Sequence, residues 1–304
     1  MTDRRTAACP TLPQEAKPMP KVLYEKDGRI ARITLNRPHV LNAIDDELPR
    51  ALADAVARAN ADRGVHVIML GGAGRAFCAG YDLTYYAEAN GTNNVTQEMP
   101  WDPMQDYAFM KGNTELFMSL WRSYRPVVCK IQGYAVAGGS DIALCSDIIL
   151  MEETAEIGYM PTRVWGCPTT AMWVYRLGAE RAKRMLLTGD RITGTEAERL
   201  GLVYRAVPSA RLDAEADALA ERMATVPINQ LMMQKLLINQ AYDNMGLETT
   251  QMIATVFDGM TRHSPEGINF KHRAEEVGWK QAVKERDQGS YDWTNDKPFD
   301  HGSG

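Results

Sequence analysis

No stretch of this sequence is apolar for long enough to cross a bilayer as a helix. The first 20 residues, MTDRRTAACPTLPQEAKPMP, also lack the apolar core of a signal peptide. Their prolines and charges read instead as a disordered leader, and the expected location is the cytoplasm with no membrane partner. Positive charge is not in excess: 34 Lys and Arg face 39 Asp and Glu, a net charge of −5, which argues against a nucleic-acid surface. Cysteine is scarce. Cys9, Cys78, Cys129, Cys145 and Cys167 show no CxxC spacing, and an odd number fits reduced thiols better than a disulfide framework or a zinc site. The five histidines have no metal-ligand spacing either. What remains is a globular chain of 304 residues, 45% apolar, long enough for one large core or two modest ones.

The stretch that organises this chain is Gly133 to Asp147, GYAVAGGSDIALCSD. The β-branched run ending in Val127, Val128 and Ile131 reads as a buried strand, and a helical apolar pattern resumes at Ile142, Ala143 and Cys145. Between them lie Ala137, Gly138 and Gly139, which let another molecule approach the backbone, then Ser140 and Asp141 in a first helical turn. The first amides of a helix lack partners and favour negative charge, so the turn suits an anion or a developing oxyanion. A packing reading is also open, in which the glycines admit a close helix and Asp141 caps it. A second loop of the same kind, GGAGRAFCAGYDL from Gly71 to Leu83, follows the strand-like run Val65 to Leu70. Each loop could lend one amide to a shared oxygen.

Two other motif readings fail. A dinucleotide fingerprint starting at Gly72 meets Phe77 in place of its last glycine, and a nucleophile elbow at Ser140 meets Ile142.

The order and spacing of these motifs resemble the enoyl-CoA hydratase/isomerase family, also called the crotonase family, with its AFCAGxDL and GYAxGGG-acidic segments. The likeness runs from about Val22 to Arg273. It implies an α/β fold, a crotonase-like spiral of ββα units with a C-terminal helical trimerisation region. The expected organisation is a leader over 1–20, a core over 21–208 that holds coenzyme A and the active site, and a helical oligomerisation region over 209–304. The resemblance also implies an acyl-CoA thioester substrate, no resident cofactor because coenzyme A arrives on the substrate, and a homotrimer or dimer of trimers.

Residue by residue, the resemblance makes the amides of Tyr81 and Gly138 an oxyanion hole for the thioester carbonyl. Asp141 falls where hydratases carry their first catalytic glutamate. The segment NRPHVLNA matches a loop that wraps coenzyme A, which brings in His39, Val40 and Leu41; Ala79, Gly80, Asp82 and Leu83 flank Tyr81 on the same side. Arg273 matches a basic position that contacts a coenzyme A phosphate across a subunit interface. The acyl pocket is expected between Thr84 and Arg125, a loop leading into a helix whose apolar residues include Trp101, Met104, Tyr107, Phe109 and Met110. With 17 methionines in the chain, a bulky or flexible acyl group is one reading of that pocket.

The chain departs from the family after its central helix. Relatives carry FGxPE, whose glutamate pairs with the first; here Ile157 to Thr162 read IGYMPT, and Thr162 stands where a carboxylate would. The usual GGT segment is replaced by WGCPTTAMW, Trp165 to Trp173. Hydration of an enoyl-CoA is the leading expectation. Double-bond isomerisation, decarboxylation and thioester hydrolysis follow, and a coenzyme A binder without turnover is the reading from another class.

Local signals complete the outline. Asp27 and Gly28 mark a hairpin, and Pro49 must lie in the first turn of a helix over Leu48 to Ala59. Thr195 with Glu198 reads as a capping box, Gly201 as a helix terminator, and Ser264 with Pro265 as another helix start. Amphipathic segments lie at Leu212 to Met223, Leu231 to Tyr242 and Leu247 to Met260. The aromatic tail of Tyr291, Trp293 and Phe299 is expected to dock on the core or on another subunit.

Overall fold

Asp27 and Gly28 turn strand β1 (Val22–Asp27) onto β2 (Ile30–Leu35), with Gly28 at a φ of +55° that a side chain disfavours. This is a computed structural model describing residues 19–299, so all of the expected leader except its last two residues lies outside the described part. Helix α1 (Leu48–Ala61) opens with Pro49 in its first turn and buries Leu48, Leu52, Ala55, Val56 and Ala59, a stripe at helical spacing. Then come β3 (Val67–Gly72), α2 (Pro103–Met118), β4 (Val127–Ile131), β5 (Tyr134–Val136), α3 (Gly138–Leu144), β6 (Ile148–Glu152) and β7 (Glu156–Gly158). The helical pair α4 (Met172–Leu177) and α5 (Ala179–Thr188) leads to β8 (Arg191–Thr193), α6 (Gly194–Leu200) and β9 (Arg205–Val207).

These strands build two sheets. One has six strands in the order β1-β2-β3-β4-β6-β9, parallel from β2 onward, and the other has three in the order β5-β7-β8. Strands β4 and β5 go to different sheets, as do β6 and β7, so these two turns of the chain each add to both before a helix closes them. This is the expected spiral of ββα units. The side-chain alternation of β3 divides the core: Ile68 and Leu70 face the main cluster with α1 and α3, whereas Val67 and Met69 face the other way.

What covers that second face is α7 (Leu212–Ala224), through Leu212, Ala216, Ala220 and Ala224, four apart on one stripe. The first helix beyond residue 208 is therefore a layer of the core. After it come α8 (Ile228–Asn244), α9 (Leu247–His263), α10 (Pro265–Val277), capped by the Ser264 hydroxyl as expected, and α11 (Trp279–Gln288). The cap of α6 differs from expectation by two residues. Thr193 rather than Thr195 accepts from Glu196 N, because the helix already begins at Gly194, while Gly201 ends it at a φ of +78°. The tail forms a short hairpin of β10 (Tyr291–Asp292) and β11 (Lys297–Pro298), and Trp293 packs on Phe270 of α10 within the same chain. No described helix is long and apolar enough to cross a membrane.

One buried amide ties two loops together. Asn42, fully buried, donates through Nδ2 to the carbonyls of Ala73 and Ala76, and its Oδ1 accepts from Arg37 N. It sits at a φ of +56°, a region that asparagine tolerates better than most residues. Asn42→Ala strands three backbone groups, one buried and two half-buried, and a loss of about 1 to 3 kcal/mol in urea unfolding is expected. A change below about 0.5 kcal/mol would show that the two loops hold without it.

Candidate active site

The two small-residue loops meet because glycine lets them. A Cβ on Gly139 would lie 2.2 Å from the carbonyl oxygen of Cys78, closer than any atom can sit, so only glycine allows α3 to start against the 76–81 loop. Gly80, at a φ of +92°, brings its own backbone close to the start of α3: a Cβ there would be 3.5 Å from Gly138 N. Further bonds close the seam, from Cys78 N to Tyr134 O and from Val136 N to Cys78 O. Ala79 N and Ile44 N fasten the loop on its other side, to Leu41 O and Gly80 O.

Tyr81 and Gly138 line one cavity of about 260 Å³, and neither amide has a hydrogen-bond acceptor among the described residues. Just before the second amide, Ala137 takes φ 51° and ψ −129°, a strained conformation for a residue with a side chain. It turns the chain out of β5 and into α3.

Asp141 lines the same cavity and is 3% exposed. Its Oδ1 accepts from the Thr170 hydroxyl at 2.6 Å. Burial pushes its carboxyl up to about 8; the Thr170 hydroxyl opposes this, the charge of Asp258 adds to it, and the Thr170 amide opposes it again. Thr170 belongs to the segment that replaces the family's GGT run, so the departure supplies the partner of the acid. Left-handed Ala171, at a φ of +57°, then starts α4.

Asp258 reaches the cavity from α9. Its Oδ1 accepts from Cys167 N at 2.8 Å and its Oδ2 from Arg262, which also donates to Asp106 and to Val95 O. Burial raises the Asp258 carboxyl despite the pull of Arg262, and the ion pair with Arg262 fixes its position. Both oxygens are engaged.

A groove of about 690 Å³ adjoins the cavity and shares Ala79, Tyr81, Leu83 and Trp279 with it. His39, Val40, Leu41 and Asp82 line this groove. The Asp82 carboxylate is held by Arg37 at 3.2 Å, so it braces the groove. Gly80 lines neither space and acts through its backbone.

Two expected site residues are elsewhere. Thr162 turns its hydroxyl to Leu186 O and lies outside the cavity lining, although its neighbours Met160 and Pro161 belong to it. Arg273 is forked onto Glu285 and also held by Glu276, away from the groove of its own chain, whose cations are Arg75 and Lys280. From the 84–125 stretch the cavity takes Tyr86, Val95 and Met110, while Met104 is exposed. Methionine contributes only Met110 and Met160 to the cavity, too little to make its wall adaptable.

A family model described as enoyl-CoA hydratase/isomerase matches residues 25–281. The chain belongs to that family. A "Probable enoyl-CoA hydratase" from Rhizobium meliloti (strain 1021) is 30% identical over 83% of this chain and 98% of its own length. A 1,2-epoxyphenylacetyl-CoA isomerase from Escherichia coli (strain K12) is 29% identical over 73% of this chain and 83% of its own. Among solved structures, an enoyl-CoA hydratase from Mycobacterium smegmatis superposes with a TM-score of 0.83 at 47% identity, covering 89% of this chain and 94% of that one. This chain is thus a crotonase-fold acyl-CoA enzyme of the hydratase/isomerase family.

Several residues of this crotonase site went unnoticed in the sequence. Asp258 and Arg262 stand four apart in TVFDGMTRH, an ion-pair spacing within an apolar helix, which is the one signal that could have pointed to them. Nothing local distinguishes Thr170, Trp279 or Arg286.

The raised carboxyl of Asp141 has a signed consequence. Below its ordinary value of 3.8 it is neutral in both folded and unfolded chains; between there and about 8 the unfolded chain ionises first, so stability falls as pH rises. Denaturant unfolding across that window is expected to show Asp141→Asn gaining on the native protein with rising pH. Thr170→Val, which removes a bond to the carboxylate form, is expected to move the titration above 8 in carboxyl infrared spectra. A native titration in the ordinary carboxylate range would contradict this account.

Proposed function

We propose that this enzyme adds water to 2-enoyl-CoA thioesters. The observation that carries the reading is the meeting of two unpartnered amides, Tyr81 and Gly138, with the Asp141 carboxyl in one cavity open to a groove. In the proposed reaction, the thioester oxygen sits between the two amides. Water oxygen bonds to the β carbon, the double-bond electrons move onto the thioester oxygen as an enolate, and the water proton goes to the Asp141 carboxylate. Asp141 then returns that proton to the α carbon, and the carbonyl re-forms. Each amide contributes about 2.7 to 4 kcal/mol of oxyanion stabilisation, and the proton relay a further hundred- to ten-thousand-fold.

A lone acid that first accepts and then donates works best when its pKa lies near the operating pH, which matches the value of about 8. The same equipment serves double-bond isomerisation, in which Asp141 takes a proton from one carbon and delivers it to another. Favouring that second reading is the second-carboxylate position of the family motif, which holds Thr162 with its hydroxyl turned to Leu186 O outside the cavity. Decarboxylation and thioester hydrolysis remain further reactions of the same scaffold, and a binder without turnover is an outcome of the test. Coenzyme A travels on the substrate, and no resident cofactor is invoked.

We also assign the protein to the cytoplasm and to a homotrimer or a dimer of trimers. Supporting the assembly is an exposed apolar face on α8 and α9, with Leu237 68%, Ile238 58% and Phe257 52% exposed.

Turnover of a 2-enoyl-CoA panel in deuterated water separates these reactions. Gain of one water with label at the α carbon marks hydration, label without hydration marks isomerisation or another enolate reaction, and tight binding with neither marks a binder. Asp141→Asn is expected to lower kcat by about a hundred- to ten-thousand-fold while the Kd for a saturated acyl-CoA changes little. Its rate should climb with pH to a plateau above about 8 in the native enzyme, since the carboxylate is the form that starts the relay. Unimpaired turnover by the variant removes Asp141 from the mechanism.

For the assembly, sedimentation of Leu237→Glu is expected to report monomers where the native chain reports trimers. A native monomer would refute the assignment.

A further inference from the structure

One face of α11 lines the acyl cavity: Trp279, Val283, Arg286 and Asp287 follow one another at helical spacing. Trp279 also lines the coenzyme A groove, and it is clamped by Glu88 to its amide and by Thr84 to its indole nitrogen. Seven residues further along the helix, about 10 Å at 1.5 Å per residue, stands Arg286.

Arg286 is 5% exposed. Its Nε donates to Asp287 Oδ1 at 2.8 Å, and its two terminal nitrogens have no acceptor among the described residues. A guanidinium carries five N–H donors, so four are unspent in a cavity whose lining joins apolar Leu83, Val95, Met110 and Val283 to the carboxylates of Asp141, Asp258 and Asp287. Leaving such donors dry is costly, and burial together with neighbouring Arg163 destabilises the charge further.

The other arginines of the cavity are spent. Arg262 uses all three of its nitrogens on Val95, Asp258 and Asp106, and Arg191 is exposed and paired with Glu156. Phe270 lies beside the Arg286 guanidinium at 5.9 Å. The free edge of a planar fork matches a carboxylate, two parallel N–H bonds to two oxygens.

We propose that Arg286 is a second anchor in the acyl cavity, receiving a carboxylate at the far end of the acyl group, so that the preferred substrates are coenzyme A monothioesters of unsaturated dicarboxylic acids. This rests on the acyl-CoA reading above and adds the substrate class. The thioester end is held by the loops, and the acid end is held by α11.

The test compares straight-chain 2-enoyl-CoA thioesters with analogues whose terminal methyl is a carboxylate, over a ladder of chain lengths, using the full-length protein. At one length the acid-ended thioester is expected to have the higher kcat/KM by roughly ten- to a hundredfold. Arg286→Leu should collapse that ratio, and Arg286→Lys, which keeps charge but not the fork, should restore only part of it. Calorimetric binding of saturated acid-ended and methyl-ended acyl-CoA to the native enzyme gives the same comparison without a variant. Equal kcat/KM and equal affinity for the two tails at every length would overturn the inference while leaving the acyl-CoA reading intact. Failure of the native protein to bind or turn over either thioester would overturn both.

Discussion

The site depends on one close contact, the start of α3 pressed against the backbone of the 76–81 loop at Gly139. The 2.2 Å that a Cβ would leave to Cys78 O makes the seam intolerant of any side chain. Once the seam is closed, two chain segments that arrive from different strands present Tyr81 and Gly138 to one cavity, with no local acceptor for either amide. The strain at Ala137 and the left-handed Gly80 follow from the same need, since the chain must turn sharply on both sides of the contact. Preorganised donors of this kind cost no reorganisation when charge develops before them.

That seam was legible because its causes are local. Glycine and alanine after a buried strand, followed by a helix pattern, mark close approach wherever they occur, and two such stretches in one chain suggested a shared oxygen. The hairpin at Gly28 and the first-turn Pro49 were legible for the same reason. The acid environment was not, because Asp141 owes its raised pKa to burial, which the Thr170 hydroxyl, 29 residues later, opposes and the charge of Asp258 on a distant helix reinforces. The family pattern carried Thr162 to the second-carboxylate position, but the hydroxyl satisfies Leu186 O on α5 instead. Arg273 likewise found Glu285 of α11, a pairing that position in a motif does not encode.

The C-terminal third is more than a surface for association. Helix α7 closes one face of the large sheet with a small-residue stripe, α9 sends Asp258 and Arg262 to the cavity, and α11 walls both cavity and groove. The exposed apolar residues of α8 and α9 occupy the remaining faces. A boundary at 208 thus follows the last strand of the two large sheets but not the last element that lines the cavity.

The family's second carboxylate is absent from its motif position, and the carboxyl at the first is raised to about 8 by burial. Here the neighbouring acid, Asp258, is fixed by Arg262 and by Cys167 N with both oxygens engaged, so it exerts charge but cannot exchange a proton readily. Burial is the largest cause of the raised Asp141 carboxyl, and the charge of Asp258 adds to it. The shorter aspartate side chain keeps that carboxyl deep, against Thr170, where water cannot relieve either effect. A single group poised near neutral pH can take and return a proton in one turnover.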